Sequence, residues 1–137
     1  MFQTHGVNHI TIFVRDLDRS LEFYTKILRM KVVRQGGDYA YLESGTTWFC
    51  IAQKPSGRQV CDRIGVNHLA LTVSAEEFEE AVAHLRENQI PIVRGPVIRG
   101  IGKTINFLDP DGLQWEFHTS NLAERMTVIE QMERQNG

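Results

Sequence analysis

Cysteine is scarce in this 137-residue chain. Cys50 and Cys61 are the only two, and they have neither a C-x-x-C spacing nor the density of a disulfide scaffold. Cys50 lies in an apolar stretch and is expected to be a reduced core thiol. An excess of either charge is missing too. The formal net charge is −2 with acids and bases interspersed, so the chain offers no basic face to nucleic acid or to an anionic membrane. No apolar run approaches the length that crosses a bilayer. The opening Met1-Phe2-Gln3-Thr4-His5 lacks the charged and apolar regions of a secretory signal, and the expected location is cytoplasmic. Low-complexity sequence is absent. With 42% apolar side chains, residues 1–137 fit one globular domain with a substantial core.

What the chain does contain is a repeat. Gly6-Val7-Asn8-His9 returns as Gly65-Val66-Asn67-His68, and each copy opens an alternating apolar stretch, 9–14 and 68–73. Alternation of period two is the pattern of a half-buried strand, and each copy is followed by a helix-period segment. A unit used twice predicts two halves that face each other, with equivalent residues converging on a shared cleft. His9 and His68 would meet there.

In chain order, the first strand is expected over 7–14, with His9, Thr11 and Phe13 on one side. Asp16 offers an N-cap, and Leu17, Leu21, Tyr24 and Leu28 mark the buried face of a helix over 17–29. Strands follow at 31–34, 39–43 and 47–52, separated by Gly36-Gly37-Asp38 and Ser44-Gly45. Module one thus covers 6–53, and a polar linker with Pro55 and Gly57 covers 54–64. Module two, 65–119, opens with a strand over 66–73 and a Ser74/Glu77 capping box. Phe78, Ala81, Val82 and Leu85 form its helix stripe; Ile92-Val93 is read as a short strand and 94–102 as a loop. A hairpin is expected over 104–119 around the turn Asp109-Pro110-Asp111-Gly112, then a C-terminal helix over 121–135. The fold class is α+β, two βαβββ modules and a closing helix.

A protein-bound metal needs nitrogen and oxygen donors converging from separate parts of the chain. His9 and His68 supply two. On the last strand Gln114, Glu116 and His118 share one face, while Trp115 and Phe117 point the other way. A carboxylate placed between two large aromatics must face a polar cavity, a partner or a metal, because burying it in a dry core is costly. Glu116 is the natural third donor, and its placement favours a site. A single strand histidine is more often a hydrogen-bonded structural residue than a ligand, and it is the repeat that singles out His9 and His68. His5 lacks that support. His84 sits among charged helix neighbours and reads as solvated; His118 reads either as a partner of Glu116 or as a surface residue.

Gly-x-x-His with apolar alternation, Asp-Leu-x-x-Ser-Leu-x-Phe-Tyr at 16–24, the second histidine, and Asp-Pro-Asp-Gly-x-x-x-Glu at 109–116 together resemble the vicinal-oxygen-chelate superfamily. That group spans glyoxalase I, extradiol dioxygenases and drug-binding proteins. Within it the chain is similar to the fosfomycin resistance thiol transferases, through the segment 40–50 ending in Trp48-Phe49-Cys50 and through Glu116-Phe117-His118 followed by Leu122-Ala123-Glu124-Arg125. The resemblance implies a curved mixed sheet around a metal cleft, completed across a homodimer. It implies a divalent metal, Mn foremost with Fe, Ni, Co or Zn also accepted, on His9, His68 and Glu116. Thr11 would contact the epoxide oxygen, Trp48 would wall the pocket, and Arg125 would grip the phosphonate. The metal would act as a Lewis acid while glutathione or bacillithiol supplies the thiol.

Departures from the family pattern are specific. Asn106 stands where a tyrosine usually holds the phosphonate, and in the loop 96–104 Arg99 and Thr104 are the retained polar groups. Tyr39 occupies the match of the glutamate that activates water in hydrolytic members, which favours a thiol nucleophile. Strand 47–52 carries no acid, which argues against glyoxalase I and related isomerases, since these need a fourth, carboxylate ligand there. An extradiol-type dioxygenase would use the same triad with iron, and a metal-free drug-binding protein would need none of it.

Overall fold

The computed structural model describes residues 1, 3, 5–54 and 65–136. The chain divides into two compact units, Met1–Cys61 and Asp62–Gly137. Apart from Lys54, the linker expected over 54–64 lies outside the described residues, and Cys61 with it.

The first unit contains β1 (His9–Val14), α1 (Leu17–Glu22), β2 (Lys31–Gln35), β3 (Tyr39–Ser44) and β4 (Thr47–Gln53). Its sheet has the order β1-β4-β3-β2, with β1 parallel to β4 and the other pairs antiparallel. The second unit contains β5 (Leu69–Thr72), α2 (Phe78–Glu87), β6 (Ile92–Arg99), β7 (Gly102–Leu108) and β8 (Gln114–His118). Its order, β5-β8-β7-β6, and its strand senses are those of the first. The expected α+β class holds: two four-stranded mixed sheets, each built as βαβββ, with α3 (Leu122–Asn136) closing the chain. Among the described residues no helix is long and apolar enough to cross a membrane.

Sequence pattern explains most of these elements. Alternation along β1 buries Ile12 and Val14 and leaves His9, Thr11 and Phe13 exposed. Asp16 caps α1 by accepting from the Arg19 amide at 3.1 Å. The single regular helix expected over 17–29 is corrected, because Phe23–Ile27 winds more widely and the Leu28 amide donates to the Phe23 carbonyl at 3.1 Å. Phe23, Tyr24, Ile27, Leu28 and Met30 are all buried there, more apolar side chains than one α-helical stripe holds. Strands β1 and β5 start at His9 and Leu69 rather than at Val7 and Val66. Gly6 (φ +96°) and Gly65 (φ +135°) turn the chain just ahead of each.

The loop expected over 94–102 is also corrected: Ile92–Arg99 is an edge strand paired with β7. Glycine and proline within it suggested a loop, but the ladder shifts register between Arg94 and Val97 and so accommodates Gly95-Pro96. A Cβ on Gly95 (φ +95°) would stand 2.8 Å from the Thr104 carbonyl oxygen. The hairpin is as expected. Asp109 Oδ1 accepts from the amides of Asp111 (2.9 Å) and Leu113 (2.8 Å), and Gly112 takes a positive φ. Ser74 Oγ accepts from the Glu77 amide at 3.1 Å, one turn before α2, which buries Phe78, Val82 and Leu85. His84, expected to be solvated, is half-buried with Asn88 Nδ2 3.4 Å from its Nδ1. Asn121 caps α3 by accepting from the Glu124 amide.

Candidate functional site

The register of the first sheet puts chemistry on one face and core on the other. Rows across β1, β4 and β3 run His9–Trp48–Glu43, Thr11–Cys50–Tyr41 and Phe13–Ala52–Tyr39. Between these positions Ile12, Val14, Ala40, Leu42, Phe49 and Ile51 are buried on the opposite face. The His9 ring lies 4.4 Å from the Trp48 ring, Tyr41 meets Trp48 edge-on at 5.3 Å, and Tyr39 lies 5.1 Å from Tyr41. An aromatic strip therefore crosses three strands.

Cys50 belongs to this strip, which corrects its expected place in the core. It is half-buried beside Thr11, and burial raises its thiol pKa. A raised pKa keeps the neutral thiol at physiological pH, so Cys50 is a poor nucleophile there. Iodoacetamide labelling of Cys50, followed by peptide mass spectrometry, is expected to be slower at pH 7 than that of free glutathione. Its rate should keep climbing past the pH at which glutathione levels off. Equal rates at pH 7 would contradict the assignment.

The second sheet has the same division. Glu116 lies between Ala70 and Asn106, and His118 between Thr72 and Thr104. The other face carries Trp115, Phe117, Ile105 and Phe107, all buried. Thr104, Asn106 and Glu116 are polar and nonetheless 1%, 5% and 6% exposed, so this face is a buried polar patch. His118 Nδ1 lies 3.1 Å from Glu116 Oε2, and its Nε2 lies 2.8 Å from Ser120 Oγ. The open alternative for His118 is thereby resolved in favour of a partner for Glu116. Arg99 ends β6 opposite Gly102, and Arg125 sits on α3; both are exposed.

Nine residues were expected to form the site. His9, Thr11 and Trp48 lie in the first unit, and His68, Arg99, Thr104, Asn106, Glu116 and Arg125 in the second. Among the described residues, no group of three or more His, Cys, Asp or Glu stands close enough to hold a metal ion. The individual donors suit one. His9 Nδ1 lies 2.8 Å from Asn8 Oδ1, and His68 Nδ1 lies 2.8 Å from Asn67 Oδ1. With the proton on Nδ1 donated to the amide oxygen, each exposed imidazole presents an unprotonated Nε2, the tautomer that ligates a cation. Sequence reasoning passed over Asn8, Asn67 and Ser120. The signal for the two asparagines was already present, since both sit inside the duplicated tetrapeptide.

The pattern of the Glyoxalase/Bleomycin resistance protein/Dioxygenase superfamily matches residues 6–117. A metallothiol transferase FosB from Staphylococcus epidermidis is 36% identical over 122 residues, 88% of this chain and 86% of that protein. The crystal structure of the fosfomycin resistance protein FosX from Mesorhizobium loti is similar at a TM-score of 0.75 and 27% identity, covering 90% of this chain and 99% of that one. FosX from Listeria monocytogenes, in complex with Mn(II) and sulfate, is similar at a TM-score of 0.77 and 25% identity, covering 91% and 98%.

Proposed function

The chain belongs to the glyoxalase/bleomycin resistance protein/dioxygenase superfamily, and from that premise we propose that it is a divalent-metal thiol transferase that opens an epoxide such as fosfomycin. Relatives named as metallothiol transferases and similar structures named as fosfomycin resistance proteins support the reaction class. The observation that carries the metal is the twin asparagine clamp, which leaves Nε2 of His9 and His68 free, together with a Glu116 carboxylate set in a polar patch. A bound cation would supply Lewis-acid polarisation of the oxirane oxygen.

The chain's own groups do the rest. Thr11, two residues from His9 on the open face of β1, donates a hydrogen bond to the epoxide oxygen, and Trp48 walls the pocket beside it. Arg125, with Arg99, Thr104 and Asn106, holds the phosphonate, a dianion that a guanidinium fork pairs bidentately. The sulfur forms a bond to a ring carbon as the carbon–oxygen bond breaks, and the oxygen takes up the proton the thiol has lost. Tyr39, a phenol where a water-activating carboxylate would stand, favours a thiol over water.

The test is metal analysis of the purified protein, followed by mass spectrometry of fosfomycin incubated with glutathione or bacillithiol in the presence of Mn, Fe, Ni, Co or Zn. The expected product is the thiol adduct, dependent on metal and removed by chelator. Absence of any adduct from fully loaded protein would sink the transferase reading.

A further inference from the structure

Past the end of β8 the chain is tied to the start of β7 before α3 begins. The Thr119 amide donates to the Lys103 carbonyl at 3.2 Å, and Thr119 Oγ1 accepts from the Lys103 amide at 2.9 Å. Ser120 is thereby set against Gly102. A Cβ on Gly102 would stand 2.6 Å from Ser120 Oγ and 2.8 Å from Ser120 Cβ, so this approach requires the bare Cα of glycine. It brings Ser120 Oγ to 2.8 Å from His118 Nε2, while Nδ1 of the same ring stands 3.1 Å from Glu116 Oε2. A carboxylate only accepts, so Nδ1 carries the proton in that contact. In the neutral ring Nε2 is then an acceptor, and the Ser120 hydroxyl donates to it.

We propose that Ser120 is a positioning residue for Glu116, acting through His118, and that Gly102 is the space it requires. This rests on the reading of Glu116 as a metal donor. His118 occupies Oε2 of the carboxylate, which leaves Oε1 for a cation. The His118 side chain is 29% exposed, so a ring anchored at Nδ1 alone can swing toward solvent and release the carboxylate to rotate. Anchored at both nitrogens, it holds one orientation. A donor already ordered by the fold binds a cation more tightly than a mobile one.

Two measurements on the full chain test the role. Nitrogen-15 NMR of the histidine rings, in metal-free and zinc-loaded protein, is expected to show His118 as the Nδ1–H tautomer alone. In Ser120→Ala its ring signals should broaden or average as the ring gains freedom. Metal affinity is then titrated against a competing chelator for the parent, Ser120→Ala, His118→Ala and the double variant. Ser120→Ala is expected to weaken binding by about threefold, the scale of one lost hydrogen bond, and to have no further effect once His118 is alanine. Gly102 lies outside the left-handed region, so alanine suits its backbone, and Gly102→Ala should reproduce Ser120→Ala by displacing the serine. Losses that add in the double variant would overturn the proposal, since Ser120 would then act by a route other than His118. An Nε2–H tautomer in the parent would overturn it as well. Unchanged affinity in Ser120→Ala would end the positioning role and leave the metal reading intact. A parent with the Nδ1–H tautomer and no metal affinity would sink the metal reading and leave the Ser120–His118–Glu116 chain standing.

Discussion

Glu116→Ala is expected to lower metal affinity by roughly a hundredfold or more, read by titration against a competing chelator with elemental analysis of the retained ion. The carboxylate is 6% exposed, lies on the polar face of β8, and has one oxygen 3.1 Å from His118 Nδ1. Its loss removes the one anionic donor of the proposed set. No cation then meets a compensating charge, and two neutral imidazoles hold a divalent ion far more weakly. His118→Ala should cost less, about tenfold, because it leaves the donor in place and removes the group that aims it. Asn67→Ala should resemble His118→Ala, since His68 loses the acceptor that selects its tautomer. Full metal retention by Glu116→Ala would show that the wrong carboxylate has been chosen.

The repeat made the architecture readable. Duplication of Gly-Val-Asn-His announced two equivalent strand entries, and period-two alternation assigned Trp115 and Phe117 to one face and Glu116 and His118 to the other, as the register of β8 has it. What escaped were features that depend on partners across the sheet. Residues 94–99 carry glycine and proline, and only pairing with β7 makes them a strand. Cys50 sits in an apolar run whose members alternate between core and open face, and composition does not say which side a given residue takes. The wide turn at Phe23–Ile27 likewise follows from burial on more than one side of a helix that the pattern treats as having a single face. The strip from His9 to Tyr39 comes from three strands, and its one long step, His9 to Trp48, joins residues far apart in the sequence.

Trp115→Ala is expected to destabilise the protein by about 3–5 kcal/mol, measured by urea denaturation of the metal-free form. Trp115 is fully buried on the core face of β8, beside Phe107 in the ladder, and Phe107 in turn packs on Phe117 at 4.7 Å between rings. Removing the indole leaves a cavity that rigid strands close only in part, and a loss of this size is a large share of a typical domain's stability. Glu116, the next residue, faces the opposite way. Metal-free Glu116→Ala should lose far less stability than Trp115→Ala, because relief of the cost of burying the carboxylate offsets the loss of its contact with His118 Nδ1. The two neighbours should therefore dissociate: Trp115→Ala loses stability first and metal affinity only as β8 loosens, while Glu116→Ala loses metal affinity and keeps its fold. A Glu116→Ala protein destabilised as much as Trp115→Ala would mean that the carboxylate is a structural member of the core, and the metal assignment would fall with it.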